Sequence, residues 1–257
     1  MGVFQGRAAR AAMLLVLLLP LAGCGGNWGW HVVNPTDPRG QANLTFMLSG
    51  FWATVSLSLA TMVLSILLGL GVALMGMAKW RALRWTNRGY VELFRSIPIL
   101  VMILWVFYGL PVVLDIRLDV FVAAMLAIAI CDSAFEAEIF RAGIQSVERG
   151  QREAAMALGL SPWQRMRFVI LPQAIRRVLP PIANQFIYVV KMSSLASVIG
   201  YQELTRKANE LVVTVFRPLE LYSILILEYL VLILLISSAV RWLERRMGAD
   251  QAHRPSG

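Results

Sequence analysis

Residues 153–172, EAAMALGLSPWQRMRFVILP, decide how the chain is organised, because they form a charged helix-turn-helix pattern between long apolar segments. The first six residues are rich in Ala, Met and Leu, which favour helix, and Gly159 can adopt the left-handed conformation that commonly ends one. Ser161 offers a hydroxyl to cap a second helix, and Pro162 occupies its first position, where a missing N–H costs nothing. The pattern therefore predicts two short helices joined by a tight turn.

The composition of this hairpin favours docking against another protein. Ala154, Ala155 and Ala157 are small, so the first helix can lie close to a partner surface. Charged residues on both helices, Glu153 and Arg165 among them, keep the hairpin in water. An ordinary capped surface hairpin is the alternative that helix signals alone would favour.

The overall composition is that of a membrane protein. Of the 257 residues, 58% are hydrophobic and 15% are charged, and the mean hydropathy is +0.66. These values favour one integral membrane domain in contact with membrane lipid. The net charge of +9 is compatible with nucleic acid or with an anionic lipid surface. Because the basic residues cluster between apolar segments and no nucleic-acid-binding motif accompanies them, we expect no nucleic acid partner.

The N-terminal residues 1–24 have the layout of a signal peptide. Arg7 and Arg10 precede an apolar run, and residues 21–24, Leu-Ala-Gly-Cys, resemble a bacterial lipobox in which Cys24 would be lipidated. As a helix the run would rise only about 21 Å, short of a hydrocarbon core of ~30 Å. Cleavage, lipidation and a short uncleaved anchor all remain open. Residues 25–43 are then expected to form an extracytoplasmic linker with tryptophans at headgroup level.

The apolar segments predict five core transmembrane helices. Residues 40–78 carry no charge but are too long for one straight span, so we divide them at Ser49-Gly50 into a short interfacial helix and a first span. The predicted spans are residues 51–77, 98–114, from 120 onward, 182–199 and 220–242. Between them we expect a basic loop at 79–88, a turn at 115–119 and a polar loop at 201–219. Pro180-Pro181 should bend or break the helix that contains them.

The distribution of Lys and Arg predicts the orientation. Segments 79–88, 141–177 and 241–257 carry four, seven and four of these residues, whereas the linker, the 115–119 turn and the 201–219 segment carry one, one and three. The richer side is expected to be cytoplasmic. This orientation places the hairpin and the tail, residues 247–257, in the cytoplasm and the N-terminal linker outside.

No catalytic chemistry is evident in the sequence. A phosphate-binding loop of the pattern Gly-x-x-x-x-Gly-Lys-Ser/Thr is missing, so the chain cannot itself supply ATP hydrolysis. His31 and His253 lie in opposite flanking segments and make no metal site. Cys24 and Cys131 are the only cysteines and indicate no disulfide framework. We therefore expect neither a cofactor nor enzymatic activity.

Ionisable residues inside the predicted spans are expected to have a structural or functional role, because a charge at the bilayer centre costs about 2.5–3.5 kcal/mol on insertion scales. Asp132 and Glu136 lie on one helical face at a spacing of four residues. Glu138 and Arg141 are spaced to form an ion pair. Lys191 and Glu228 lie deeper in their spans, as part of a substrate route or as a helix-to-helix ion pair, and the sequence leaves both open.

The hairpin also resembles a known motif. Glu153, Ala154, Ala155, Gly159, Leu171 and Pro172 are similar in identity and spacing to the EAA motif of permease subunits of ATP-binding-cassette (ABC) importers, with Val169 where Ile is usual. Stretches 94–98, 137–147, 184–186 and 191–200 resemble the polar amino-acid uptake branch of that family. The resemblance covers about residues 45–246. Met192 departs from it where a polar residue such as Asp is common, and Ala142 where Gly is common.

The resemblance implies an all-α permease domain over residues 44–246, with five core spans and a cytoplasmic coupling hairpin at about 148–178. It implies partners as well: a cytoplasmic ATPase dimer, a second permease chain, like or unlike, and an extracytoplasmic amino-acid-binding protein. The location would be the bacterial inner membrane and the mechanism alternating access. A membrane scaffold that docks a partner through the hairpin without transporting anything is the alternative.

Two sets of residues follow as candidates for function. The residues expected to couple the permease to the ATPase are Glu153, Ala154, Ala155, Gly159, Leu160, Ser161, Leu171 and Pro172. The residues expected to contribute to the substrate pathway are Glu138, Lys191, Ser193, Ser194 and Glu228.

Overall fold

The structure is a computed structural model that describes residues 29–246, with side chains described up to residue 242. Residues 1–28 and 247–257 lie outside it, and with them the signal-like segment, Cys24, His253 and the predicted tail. A short 3-10 turn, Trp30–Val33, precedes nine helices within the described range. They are α1 (Pro38–Leu48), α2 (Phe51–Met77), α3 (Arg81–Ser96), α4 (Ile99–Leu114), α5 (Val120–Gln145), α6 (Arg149–Ala157), α7 (Pro162–Ile199), α8 (Leu204–Val215) and α9 (Pro218–Arg246).

Four stretches in the described range are long and apolar enough to cross a membrane: α1 with α2, α5, α7 and α9. The pair α3 and α4 passes the same test together but is bent by 100° and counts as a fifth only if it is one broken span. The bend follows from Pro98, because the residue before a proline avoids helical geometry. Ile97 accordingly has φ −84° and ψ 126°. The predicted number of five spans stays a prediction.

The boundaries predicted for α2 and α4 agree with the structure. The chain is divided at Ser49-Gly50, where α1 ends at Leu48 and α2 begins at Phe51. Gly50 is required at this point because a methyl group there would stand 2.6 Å from the backbone of Glu203. The turn at residues 115–119, which begins with Asp115 in the left-handed conformation, and the beginning of α5 at Val120 also agree with the sequence prediction.

The predicted basic loop at residues 79–88 is wrong, since α3 begins within it at Arg81. The helix is strongly amphipathic, and its apolar side packs on α2 and α5. Asn87 lies on that side, is 8% exposed and donates through Nδ2 to the carbonyl of Val72 at 2.7 Å. Four basic residues signalled a loop, but three of them, Arg81, Arg84 and Arg88, are exposed residues of a helix.

The predicted polar loop at residues 201–219 is also wrong, because most of it forms α8. Glu203 caps this helix by accepting from the amide of Arg206 at 2.8 Å, and it accepts from the hydroxyl of Tyr229 on α9 at 2.7 Å. Burial raises the pKa of the Glu203 carboxyl, and these hydrogen bonds offset part of the rise. Glu203 thus joins α8 to α9 from a fully buried position.

Pro180 and Pro181 lie inside α7 and do not break it. Each proline removes a donor to the carbonyl four residues earlier. Those carbonyls belong to Arg176 and Arg177, whose side chains are exposed or half-buried, so the loss falls where water can replace it. The helix instead changes pitch at its two ends, with a π-helical segment at Arg165–Ile170 and a 3-10 segment at Ser193–Ile199.

The core is organised around α5, the most buried of the span-length helices, whereas α9 is the least buried. Fully buried alanines on α5, Ala123, Ala124 and Ala127, let its neighbours approach closely. Leu57 of α2 and Ile103 of α4 fill the space beside them. The spans that carry charged residues are therefore held by small-residue packing at the centre of the bundle.

Candidate functional site

The hairpin adopts the local geometry that its sequence predicts. Helix α6 ends at Ala157, and Gly159 follows with φ 73°, in the left-handed region. Ser161 then caps α7 reciprocally: its hydroxyl accepts from the amide of Gln164 at 3.3 Å, and its own amide donates to Oε1 of Gln164 at 2.8 Å. Pro162 occupies the first helical position. Two capped ends and one left-handed residue thus fix the angle between the helices.

The base of the hairpin is attached to the end of α5. Val147, Ile170 and Ala174 form a small buried cluster there. Two arginines add hydrogen bonds to the backbone: Arg152 donates to the carbonyl of Ile144 at 2.6 Å, and Arg177 donates to the carbonyl of Ser146. The hairpin is therefore joined to the end of α5 by both apolar packing and hydrogen bonds.

The tip of the hairpin is exposed and apolar. The large exposed side chains are Met156 (51%), Leu158 (79%), Trp163 (69%) and Phe168 (65%). Ala154 and Gly159 are exposed too, and Ala155 is 3% exposed because it packs inside the hairpin. A cluster of large apolar side chains exposed on a charged hairpin is typical of a protein–protein contact.

The remaining coupling candidates have varied surroundings. Glu153 pairs with Arg149 at 2.7 Å on the surface of α6, and Leu160 is half-buried. Leu171 is 42% exposed, and Pro172 is exposed within the first turn after the π-helical segment. The structure thus brings the eight candidates together on one hairpin, with six of them, Glu153, Ala154, Gly159, Ser161, Leu171 and Pro172, open to a partner.

A buried carboxylate connects three spans. Asp132 of α5 is 1% exposed and accepts from the hydroxyl of Ser65 on α2 at 2.5 Å and from Nε2 of Gln185 on α7 at 2.5 Å. Charged groups in a membrane interior are tolerated when they are hydrogen-bonded inside the protein. Asp132 therefore fixes the relative positions of α2, α5 and α7.

Glu136, one helical turn further along α5, has a different environment. It is fully buried, and among the described residues neither carboxyl oxygen has a hydrogen-bond partner. Gly69 of α2 lies against its Cβ. The common face predicted for Asp132 and Glu136 is confirmed, but only Asp132 is hydrogen-bonded in this conformation.

A polar stripe runs along the outer face of α7. Asn184, Tyr188 and Lys191 are spaced by four and three residues and are exposed on a helix long and apolar enough to span a membrane. Polar side chains do not face lipid without cost, so this face contacts water or another polar surface. Nearby, Ser194 donates its hydroxyl to the carbonyl of Lys191 at 2.7 Å, and Ser193 is fully buried and donates to Val190 at 2.8 Å.

Lys191 and Glu228 do not form the ion pair considered from the sequence. The ion pairs Arg141–Glu138, Arg149–Glu153 and Arg206–Glu210 involve neither residue. Lys191 is exposed, whereas both carboxyl oxygens of Glu228 are buried without a partner in that range. The two residues therefore have separate roles in this conformation.

A cavity of about 390 Å³ lies between α2, α3 and α5, at the end of α5 that leads into the hairpin. Its charged lining residues are Arg84, Arg88, Glu92, Arg95, Glu138 and Arg141. The predicted pair of Glu138 and Arg141 is confirmed, with 2.6 Å between Oε2 and the guanidinium nitrogen. Glu138 is thus placed both in an ion pair and at a polar opening.

Sequence reasoning missed several of these residues. Ser65 and Gln185 were not singled out, although Ser65 lies one turn from Gly69 on the face of α2 that meets α5. Arg95 belongs to a stretch quoted for the resemblance, but no role was inferred for it. Glu92 sits one turn before Arg95, and the spacing of the two signals a shared face only once α3 is known to be a helix.

Comparison with known proteins shows the family of this chain. The family described as "binding-protein-dependent transport system inner membrane component" matches residues 65–249. The chain belongs to this family. It is 45% identical over 159 residues to the glutamine transport system permease protein GlnP of Escherichia coli (strain K12), covering 62% of this chain and 73% of that protein. It is 39% identical over 205 residues to the probable glutamine ABC transporter permease protein GlnM of Bacillus subtilis (strain 168), covering 80% and 94%.

Solved structures of ABC transporters have the same fold. A crystal structure of an amino acid ABC transporter with histidines superimposes with a TM-score of 0.74 at 38% identity, covering 79% of this chain and 94% of that one. The methionine transporter MetNI, in inward-facing conformations, superimposes with a TM-score of 0.68 at 21% identity, which supports the fold alone. The permease is thus an all-helical transmembrane subunit of an ABC importer, as the resemblance implied, and a multi-pass inner-membrane protein.

Proposed function

We propose that this permease forms the translocation route for a polar amino acid of the glutamine type. The observation that carries the proposal is the exposed stripe of Asn184, Tyr188 and Lys191 on a helix that otherwise has the composition of a membrane span. Amide, hydroxyl and ammonium groups suit a small polar solute with several hydrogen-bonding groups. The names of the relatives in Escherichia coli and Bacillus subtilis supply the substrate class.

The hairpin would be the site at which ATP hydrolysis is coupled to this route. Leu158, Trp163 and their apolar neighbours are exposed, and the positive-inside distribution of Lys and Arg supports a cytoplasmic position for them. A cytoplasmic ATPase dimer would receive the hairpin, a second permease chain would complete the route, and an extracytoplasmic binding protein would deliver the amino acid. Closure of the ATPases would then move the hairpin, and with it α5 and α7, between outward-open and inward-open states.

ATP hydrolysis by the assembled complex tests this proposal. The permease, purified with its ATPase partner and placed in nanodiscs, should hydrolyse ATP faster when the binding protein and L-glutamine are both added. The binding protein without amino acid is the matched control. A complex that assembles in full but whose hydrolysis no amino acid stimulates would favour a membrane scaffold and would overturn the proposal.

A further inference from the structure

The cavity between α2, α3 and α5 is lined by six charged residues, and only two of them form an ion pair with each other. Arg84 donates to the carbonyls of Ala78 and Lys79, both at 3.1 Å. Arg88 lies over the ring of Trp85, 5.9 Å from its centroid. Arg141 is paired with Glu138. Arg84, Glu138 and Arg141 therefore have hydrogen-bond or ion-pair partners within the subunit.

Glu92, the carboxylate among the other three, and Arg95, whose guanidinium reaches α5 at Phe135, are the pair of opposite charges available to a ligand. Among the described residues neither forms an ion pair, and both are exposed to the cavity. They are three residues apart on α3, so one carboxylate and one guanidinium lie on the same helical face. The guanidinium of Arg95 lies over the ring of Phe135, 5.0 Å from its centroid, and this contact holds it in place.

This pair lies where α3 packs beside α5. Tyr90, just before Glu92, is hydrogen-bonded through its hydroxyl to that of Ser133 at 2.8 Å, and Ser133 is near the middle of α5 (Val120–Gln145). Arg95 lies more than one turn beyond Tyr90 on α3 and meets α5 at Phe135. Charged groups without an ion-pair partner inside a membrane domain commonly line the paths of polar solutes. The cavity that surrounds them also has the size of a small-molecule site, about 300–1,000 Å³.

We propose that Glu92 and Arg95 bind the zwitterionic head of the transported amino acid in the half of the route that leads to the hairpin. Arg95 would bind the α-carboxylate, for which a guanidinium offers two parallel donors, and Glu92 would accept from the α-ammonium. The inference rests on the proposed function and adds to it the groups that recognise the substrate class. The side chain of the amino acid is left to other residues of the route.

Competition binding tests the two contacts separately. Radiolabelled L-glutamine is bound to the purified transporter without its binding protein and displaced by L-glutamine, by its methyl ester, which has no carboxylate, or by N-acetyl-L-glutamine, which has no ammonium. The wild type should prefer L-glutamine about tenfold or more over each analogue, the loss expected for one charge-assisted contact. Arg95→Met should lose the preference over the methyl ester alone. Glu92→Gln should lose the preference over the N-acetyl compound alone.

Arg88→Met is the matched control, since Arg88 lines the same cavity but contacts Trp85 of its own helix rather than α5, and it should keep both preferences. If Arg95→Met does not assemble, Arg95→Lys keeps the charge without the paired donors and should lose part of the same preference. Unchanged preferences in assembled Glu92 and Arg95 variants would overturn the inference, as would cavity occupation by an anionic lipid that L-glutamine does not displace. Either result leaves wild-type uptake intact, whereas a wild type that transports no amino acid would refute the proposed function itself.

Discussion

Gly69 of α2 lies so close to Glu136 of α5 that a methyl group at position 69 would stand 2.5 Å from the Cβ of Glu136 and 3.0 Å from the carbonyl of Ser133. Both neighbours belong to the buried helix α5, and one is backbone, so neither can move freely. Gly69→Ala should therefore destabilise the permease by about 1–3 kcal/mol through overpacking. The melting temperature of the purified protein should fall by about 2–4 °C for each kcal/mol.

Gly71, two residues along the same helix, is the matched control. No described atom lies within 4 Å of the position that its Cβ would occupy. Gly71→Ala should leave the melting temperature unchanged or raise it slightly, because alanine favours helix by about 1 kcal/mol. Equal melting temperatures for the two variants would contradict the close contact of α2 with α5.

Gly159→Asp should uncouple transport from ATP hydrolysis while leaving the permease inserted. Gly159 has φ 73°, a conformation that costs a residue with a Cβ roughly 1–2 kcal/mol, and the side chain would project from the exposed tip. A penalty of this size can shift a docking equilibrium about 5–30-fold without unfolding a bundle. The measurement is amino-acid uptake per ATP hydrolysed in the reconstituted complex.

Gly150→Asp supplies the comparison for this variant, because Gly150 lies in the same hairpin, within helix α6, and has no described atom within 4 Å of its Cβ position. It should retain normal coupling, since a carboxylate in the first turn of a helix is tolerated. Normal coupling in Gly159→Asp as well, at equal permease levels, would refute the role of the turn.

Lys191→Met should reduce amino-acid uptake, whereas Glu228→Leu should make the permease more stable to heat. Lys191 belongs to the exposed stripe, and the loss of one charge-assisted contact of about 1.5–3 kcal/mol should reduce amino-acid uptake about tenfold or more. Glu228 has two buried oxygens without partners among residues 29–246, so its replacement by leucine should raise the melting temperature. Uptake per assembled permease should stay low in the double variant. Full restoration of uptake there would show that the two residues act only as a pair.

Leu158→Cys reports the side of the membrane on which the hairpin lies. Leu158 is 79% exposed, so in a Cys24→Ser background a membrane-impermeant thiol reagent should modify the new cysteine only after cells are opened. Ile116→Cys, at an exposed position in the opposite turn, should be modified in intact spheroplasts. The remaining native cysteine, Cys131, is 1% exposed. Modification of Leu158→Cys in intact spheroplasts would invert the proposed orientation.

The geometry of the hairpin was predictable because a single short stretch of sequence determines it. Gly159, Ser161 and Pro162 each have a conformational preference that needs no distant partner, and the turn and caps have the predicted form. The division at Ser49-Gly50 followed from length and charge. Helix α3 was missed because its buried face depends on α2: Asn87 is polar in the sequence but becomes an interior residue through its bond to Val72.

The candidate site was predictable only in part, because many of its contacts join residues that are far apart in the chain. Span charges such as Asp132 and Glu138 are conspicuous because membranes disfavour them. Their partners are not conspicuous: Ser65 is 67 positions from Asp132 in the chain, and Gln185 is 53 positions away. The cavity that Glu92 and Arg95 line exists only when three helices come together.

Uptake by the reconstituted transporter tests the central claim most directly. Proteoliposomes that contain the permease with its ATPase partner, with the binding protein added on the extracytoplasmic side, should accumulate radiolabelled L-glutamine or a related polar amino acid when ATP is supplied on the cytoplasmic side. Accumulation should cease when either ATP or the binding protein is omitted. A fully assembled complex that hydrolyses ATP but accumulates no amino acid would contradict the account.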